Sequence, residues 1–171
     1  MFISPTVEVP YRANGQALRR EFNVGKSMVL VVEDHEDTRF LLREILEMKG
    51  CGVVEACDGL EAVHLAESVH PDLILMDGSL PLFDGLSATR RIRENARLRE
   101  VPIIAVSGHA EPAFQSAALA AGCTDYLAKP FACEQLEKLI DQYLRNLPTA
   151  ASDYPGTEND FYANATTHAT R

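Results

Sequence analysis

The 171-residue chain has no excess of basic residues, no apolar run of membrane-spanning length and no closely spaced cysteine pair. Each absence removes a class of function. Lysine and arginine number 16 against 25 aspartates and glutamates, a formal charge of −9 with histidine neutral. Bulk nucleic-acid binding needs a basic face to neutralise phosphates, so direct nucleic-acid contact is not expected. The longest apolar runs are strand-sized, far short of the roughly 20 residues a spanning helix requires, so no membrane span is expected. Met1-Phe2-Ile3-Ser4-Pro5 lacks a basic region followed by an apolar core and is not read as a signal peptide. Cys51, Cys57, Cys123 and Cys133 stand apart in apolar surroundings. They read as buried free thiols of a reducing cytoplasm.

What is present is ordinary globular material. Apolar residues make up 46% and charged residues 24%, and the length suits one domain with tails. Three segments separate by composition. Residues 1–26 hold few periodic apolar positions and four basic against two acidic residues, and read as a flexible extension. Within them, 16–22 (QALRREF) could form one short amphipathic helical turn, marginal by itself. Residues 148–171 have no helical or strand period and read as a disordered tail. Everything dense in apolar residues lies in 27–147, which carries the whole acidic excess.

That middle segment alternates. Apolar, β-branched runs at 28–33, 51–56, 72–77, 101–107 and 124–128 are separated by helical patterns at 36–49, from Asp58-Gly59-Leu60-Glu61 onward, and at 85–96, 112–121 and 132–146. Gly50 and Gly122 sit just past helix ends, where a left-handed residue is wanted. Five strands alternating with five helices predict an α/β fold: a doubly wound parallel sheet with helices on both faces. Binding sites in such sheets form at the carboxyl ends of the strands.

The residues at those ends form a pattern. The first strand ends in Glu33-Asp34, the third in Asp77 and the fourth in Ser107, and Lys129-Pro130 follows the fifth. Each has a plain alternative taken singly: a helix cap, a loop cap, a strand end, a solvated lysine. Together, three carboxylates on one edge repel, by roughly 4 kcal/mol for a pair about 4 Å apart at an effective dielectric near 20. They call for a lysine or a hard divalent cation such as magnesium, which takes carboxylate and phosphate oxygens and keeps waters. Such a site could hold a phosphoryl group, with Asp77 as carboxylate nucleophile and Lys129 neutralising phosphoryl oxygens.

The motifs VLVVEDHED at 29–37, LILMDGSLPLFDG at 73–85, IIAVSGHA at 103–110 and DYLAKPF at 125–131 closely resemble the receiver domain of two-component response regulators. The resemblance spans roughly 27–147 and implies a flavodoxin-like sheet of strand order 2-1-3-4-5. It assigns Asp77 as phosphoryl acceptor, and Glu33, Asp34, Asp77 and the backbone carbonyl of Ser79 as magnesium ligands, with Asp34 more direct than Glu33. Ser107 takes the place of the switch hydroxyl, Tyr126 of the switch aromatic, and Lys129 of the lysine that pairs with the phosphoryl group. A cis peptide is implied before Pro130. Ser79 and His109 fall at loop positions that tune phosphoryl lifetime. Glu33, Ser107 and Leu80 depart conservatively from the commoner aspartate, threonine and methionine.

The reading is a single-domain response regulator that takes a phosphoryl group from a histidine kinase or histidine phosphotransfer protein. It switches its surface for a downstream protein target, and catalyses only its own phosphorylation and dephosphorylation. The segment after 147 is too short for an output domain, so a protein partner is the expected output. A haloacid dehalogenase-type phosphatase would carry a second aspartate where Ser79 stands. A nucleotide or flavin site would have a first loop rich in Gly, Ser or Thr in place of Glu33-Asp34-His35-Glu36-Asp37. A receiver-like module that works without phosphorylation is the remaining alternative. Arg90, Arg91, Arg93, Arg97 and Arg99 read as a solvated face.

Overall fold

The structure is a computed structural model, and it describes residues 6–13, 16–23, 26–109 and 111–144. The five apolar runs form one parallel sheet, β3 (Met28–Val32), β4 (Gly52–Ala56), β5 (Leu73–Asp77), β6 (Ile103–Ser107) and β7 (Asp125–Ala128). They lie in the order β4-β3-β5-β6-β7. Counted within the sheet this is 2-1-3-4-5, the expected order. The intervening helices are α1 (Glu36–Met48), α2 (Gly59–Val69), α3 (Gly85–Glu94), α4 (Pro112–Ala121) and α5 (Cys133–Leu144).

Side chains alternate across a strand, so a two-sided strand must be apolar at every position. Val29, Val31, Leu73, Leu75, Ile104 and Val106 pack with Leu42, Ile45 and Leu46 of α1 and with Leu136 and Ile140 of α5. Leu30, Val32, Ile74, Met76, Ile103 and Ala105 pack on the other face with Ala62, Leu65 and Ala66 of α2, Ala88 and Ile92 of α3, and Ala118 of α4. Each large side chain so buried contributes about 1.5–3 kcal/mol.

The helix ends follow local chemistry. Asp58 accepts the backbone N–H groups of Leu60 and Glu61, and the Glu61 carboxylate reaches back to the N–H of Cys57 at 2.9 Å, one residue beyond a standard capping box. Asp84 caps α3 through the N–H groups of Leu86 and Ser87. Gly50 and Gly122 have φ of 83° and 105°, the left-handed conformation that a side chain disfavours.

Three expectations are corrected. Residues 16–22 are not a helical turn: Gln16–Asn23 is a strand, β2, paired antiparallel with β1 (Thr6–Ala13). Ala13 pairs with Gln16, leaving Asn14-Gly15 between them, the dipeptide most typical of a two-residue hairpin connection. Cys51 and Cys123 are buried free thiols, but Cys57 and Cys133 are exposed. Partial shielding from solvent and its hydrogen bond to Glu61 push the Cys57 thiol up to about 11. Arg93 is not a solvated charge, since its guanidinium donates to the carbonyls of Gly122 and Leu98, both at 2.9 Å. The expected tail, 148–171, lies outside the described residues.

Candidate functional site

Parity along the strands decides which way each end residue points. Asp77 continues the Leu73–Leu75 side of β5, and Glu33 the Val29–Val31 side of β3, so both carboxylates face the α1/α5 side. Both are buried, Glu33 at 1% and Asp77 at 4% exposure. The β7–α5 loop brings Lys129 across them. Its ammonium donates to Glu33 Oε2 at 2.5 Å and to Asp77 Oδ2 at 2.7 Å. The peptide between Lys129 and Pro130 is cis, as the resemblance implied. The other Asp77 oxygen, Oδ1, accepts the Ser79 N–H at 2.7 Å. Gly85 makes room for this strand end, because a Cβ there would run into the carbonyl oxygen of Asp77.

Glu33 is held on every side. Oε1 accepts the His35 N–H at 3.3 Å, its backbone N–H donates to the Ala56 carbonyl, and its own carbonyl accepts the Arg39 guanidinium at 2.7 Å. Burial raises its carboxyl above the usual range, outweighing the hydrogen bond from Lys129. Burial pulls Lys129 down, but the hydrogen bonds to Asp77 and Glu33 win and its pKa is raised. Asp34 is more open, and its Oδ1 sits 2.9 Å from His35 Nδ1. That contact raises the His35 pKa.

Three carboxylates face the Lys129 ammonium and the Arg39 guanidinium, an excess of acid at the strand ends beside His35. The carboxylates offer hard oxygens, and those of Glu33 and Asp34 lie within 4.8 Å of each other and of a His35 ring nitrogen, a group that does not include Asp77. This donor set fits a divalent cation of the magnesium kind.

Ser107 points the other way. It continues the Ile103–Ala105 side of β6, facing α4, and is fully buried. Its hydroxyl is engaged by residue 109: it accepts the His109 N–H at 3.2 Å and lies 3.3 Å from His109 Nδ1. The same imidazole nitrogen is 3.2 Å from the Ser79 hydroxyl, so His109 ties the loop after β5 to the loop after β6. The Tyr126 hydroxyl donates to the carbonyls of His109 and Ser107. The Tyr126 side chain is therefore turned onto the β6–α4 loop.

The predicted residues thus fall into two groups. Glu33, Asp77 and Lys129 are directly linked, with Asp34 adjacent, and Ser79, expected to contribute its carbonyl, is joined to Asp77 through its N–H. Ser107 and Tyr126 meet instead at His109. Sequence reasoning missed Arg39, which holds the backbone of the acidic pair, and Phe114, whose ring stacks on His109 with centroids 5.1 Å apart. An arginine in the first turn after an acidic pair is a usable signal for the former. The latter has none, because the contact is made only by the fold.

Comparison with known proteins agrees with this architecture. The family model for the response regulator receiver domain matches residues 29–141. The polar-differentiation response regulator DivK of Brucella ovis is 37% identical over 116 residues, covering 68% of this chain and 94% of that protein. The receiver domain of the sensor histidine kinase PA1611 from Pseudomonas aeruginosa PAO1 superposes with a TM-score of 0.66 at 38% identity, covering 70% of this chain and 98% of that one. Its structure has a magnesium ion coordinated in the active site cleft. The chemotaxis protein CheY4 of Vibrio cholerae gives a TM-score of 0.66 at 28% identity, covering 69% and 98%. With the five-strand order, the acidic strand ends and the bridging lysine all in place, the chain belongs to the response regulator receiver family, a class of two-component signalling modules.

Proposed function

We propose that this receiver takes a phosphoryl group from a phosphohistidine onto Asp77, in the cytoplasm, and switches the surface it offers to a protein target. The observation that carries the reading is the setting of Asp77. It is a buried carboxylate at a strand end, with one oxygen on the Ser79 N–H and the other on an ammonium shared with Glu33.

In this reading an Asp77 oxygen attacks phosphorus. The P–N bond of the donor breaks, and its electron pair leaves with the imidazole nitrogen, which solvent reprotonates. Lys129 passes from the carboxylates to a phosphoryl oxygen. Glu33, Asp34, Asp77 and the Ser79 carbonyl would hold magnesium, which when bound neutralises charge on the transferring group. The acyl phosphate carries about −2 where the carboxylate carried −1. The Ser107 hydroxyl turns from His109 toward it, and the loop bearing the Tyr126 contact moves with it, a population shift driven by contacts of the phosphorylated state alone. A histidine kinase or histidine phosphotransfer protein is the donor. DivK supports a receiver acting with little else attached, since the matched segment is 94% of its length.

The test is incubation of the full chain with acetyl phosphate and magnesium, followed by intact mass. Wild type is expected to gain one phosphoryl group and Asp77→Asn none. No gain in wild type, or equal gain in the variant, would overturn the reading and favour a module that works without phosphorylation.

A further inference from the structure

Helix α4 is thinly anchored. Its buried residues are Ala118 and Ala121, small side chains that contribute little apolar area, and Leu119 is 49% exposed. Phe114, in its first turn, is different. The ring stacks on His109 (5.1 Å, 21°) and meets Tyr126 tilted (6.3 Å, 60°). It also covers Gly78, the residue directly after Asp77. A Cβ added to Gly78 would strike the tip of the Phe114 ring and come within 3.3 Å of Ser107 Cβ. One side chain of α4 therefore touches the acceptor loop, the residue that holds the Ser107 hydroxyl, and the switch aromatic.

We propose that Phe114 is the positioning residue through which α4 senses the state of Asp77. The inference rests on the acceptor reading above and supplies it with a route. In the state described, the ring is seated between Gly78 and His109 while His109 engages the Ser107 hydroxyl. A phosphoryl group on Asp77 adds bulk and charge beside Gly78 and draws the Ser107 hydroxyl away from His109. Both changes act on the seat of the ring. Packed contacts have discrete arrangements rather than a continuous range, so the ring re-seats and carries the first turn of α4 with it. The small residues along the rest of the helix offer little resistance. The Phe114 side chain has no group that could donate or accept a hydrogen bond or hold a cation, so this role is separable from phosphoryl transfer.

The experiment uses full-length wild type and Phe114→Ala, each with acetyl phosphate and magnesium. Phosphoryl gain is read by intact mass, and amide hydrogen exchange is read over 111–121. In wild type, phosphorylation is expected to change exchange across α4 roughly threefold or more. Phe114→Ala is expected to take up phosphoryl to the same extent with the α4 change lost. A wild-type-sized change in the variant overturns the proposal. So does loss of phosphorylation in the variant alone, which would make Phe114 part of the transfer site rather than a relay. No phosphoryl gain in either protein overturns the acceptor reading, and the coupling with it. If α4 in unphosphorylated Phe114→Ala already exchanges at the fully exposed limit, Phe114→Leu is read by the same criteria. It keeps bulk against Gly78 without the stack on His109, and is expected to show a reduced change.

Discussion

Lys129 is the residue on which the electrostatics of the site turn. The Glu33 and Asp77 side chains, 1% and 5% exposed, share its ammonium, and the Lys129 side chain is itself only a quarter exposed. Breaking such a pair from one side leaves charge buried without compensation, at a cost of about 3–5 kcal/mol in fully buried cases. Lys129→Met is therefore expected to lower unfolding free energy by about 2–4 kcal/mol near neutral pH, by urea denaturation. The sign of its pH dependence follows from the raised pKa of Lys129. Its contribution is fully present below the ordinary value of 10.5 and is lost as pH rises through the higher folded value. The gap between wild type and variant should stay constant from neutral pH to about pH 10 and narrow above it. A gap that widens there would contradict the pairing.

At the scale of elements, helix ends were legible because caps are local. Asp84 shows the energetics. Its carboxylate accepts the N–H groups of Leu86 and Ser87 and the Ser87 hydroxyl, and the Ser87 hydroxyl bond first among these holds its pKa below the usual 3.8. Asp84→Ala is expected to cost about 1 kcal/mol at neutral pH by thermal or chemical denaturation. A depressed carboxyl stabilises above its unfolded pKa, so the deficit should shrink as pH falls through the folded value, below 3.8. The central strands β3, β5 and β6 were legible for an equally local reason, since two-sided burial leaves no polar position until the chain reaches the site. Glu33, Asp77 and Ser107 stand out because they break that rule where the strand ends. The β1–β2 hairpin was missed although Val7, Val9, Tyr11 and Ala13 alternate with strand period and Asn14-Gly15 is a hairpin turn pair. Arg93 was misread because its carbonyl partners, Gly122 and Leu98, converge only in three dimensions. Phe114 on Gly78 has the same cause: nothing along the chain links them.

For the whole molecule, three of the acidic residues, Glu33, Asp34 and Asp77, meet at the carboxyl ends of two adjacent strands, and the others are spread along the rest of the chain. The parallel order brings β3 and β5 side by side, β6 next to β5, and β7 outside it. That order, more than any motif, lets one ammonium span Glu33 and Asp77 while Ser107 faces α4. No helix among the described residues is long and apolar enough to cross a membrane. The proposed chemistry places a phosphoryl group on Asp77 with the help of a divalent cation. Peptide mapping of the full chain after treatment with acetyl phosphate, with magnesium and with a chelator in its place, tests it most directly. The expected result is a phosphoryl group on the peptide containing Asp77 in the presence of magnesium and none with the chelator. A phosphoryl group on a different peptide, or one whose appearance is indifferent to the chelator, would contradict it.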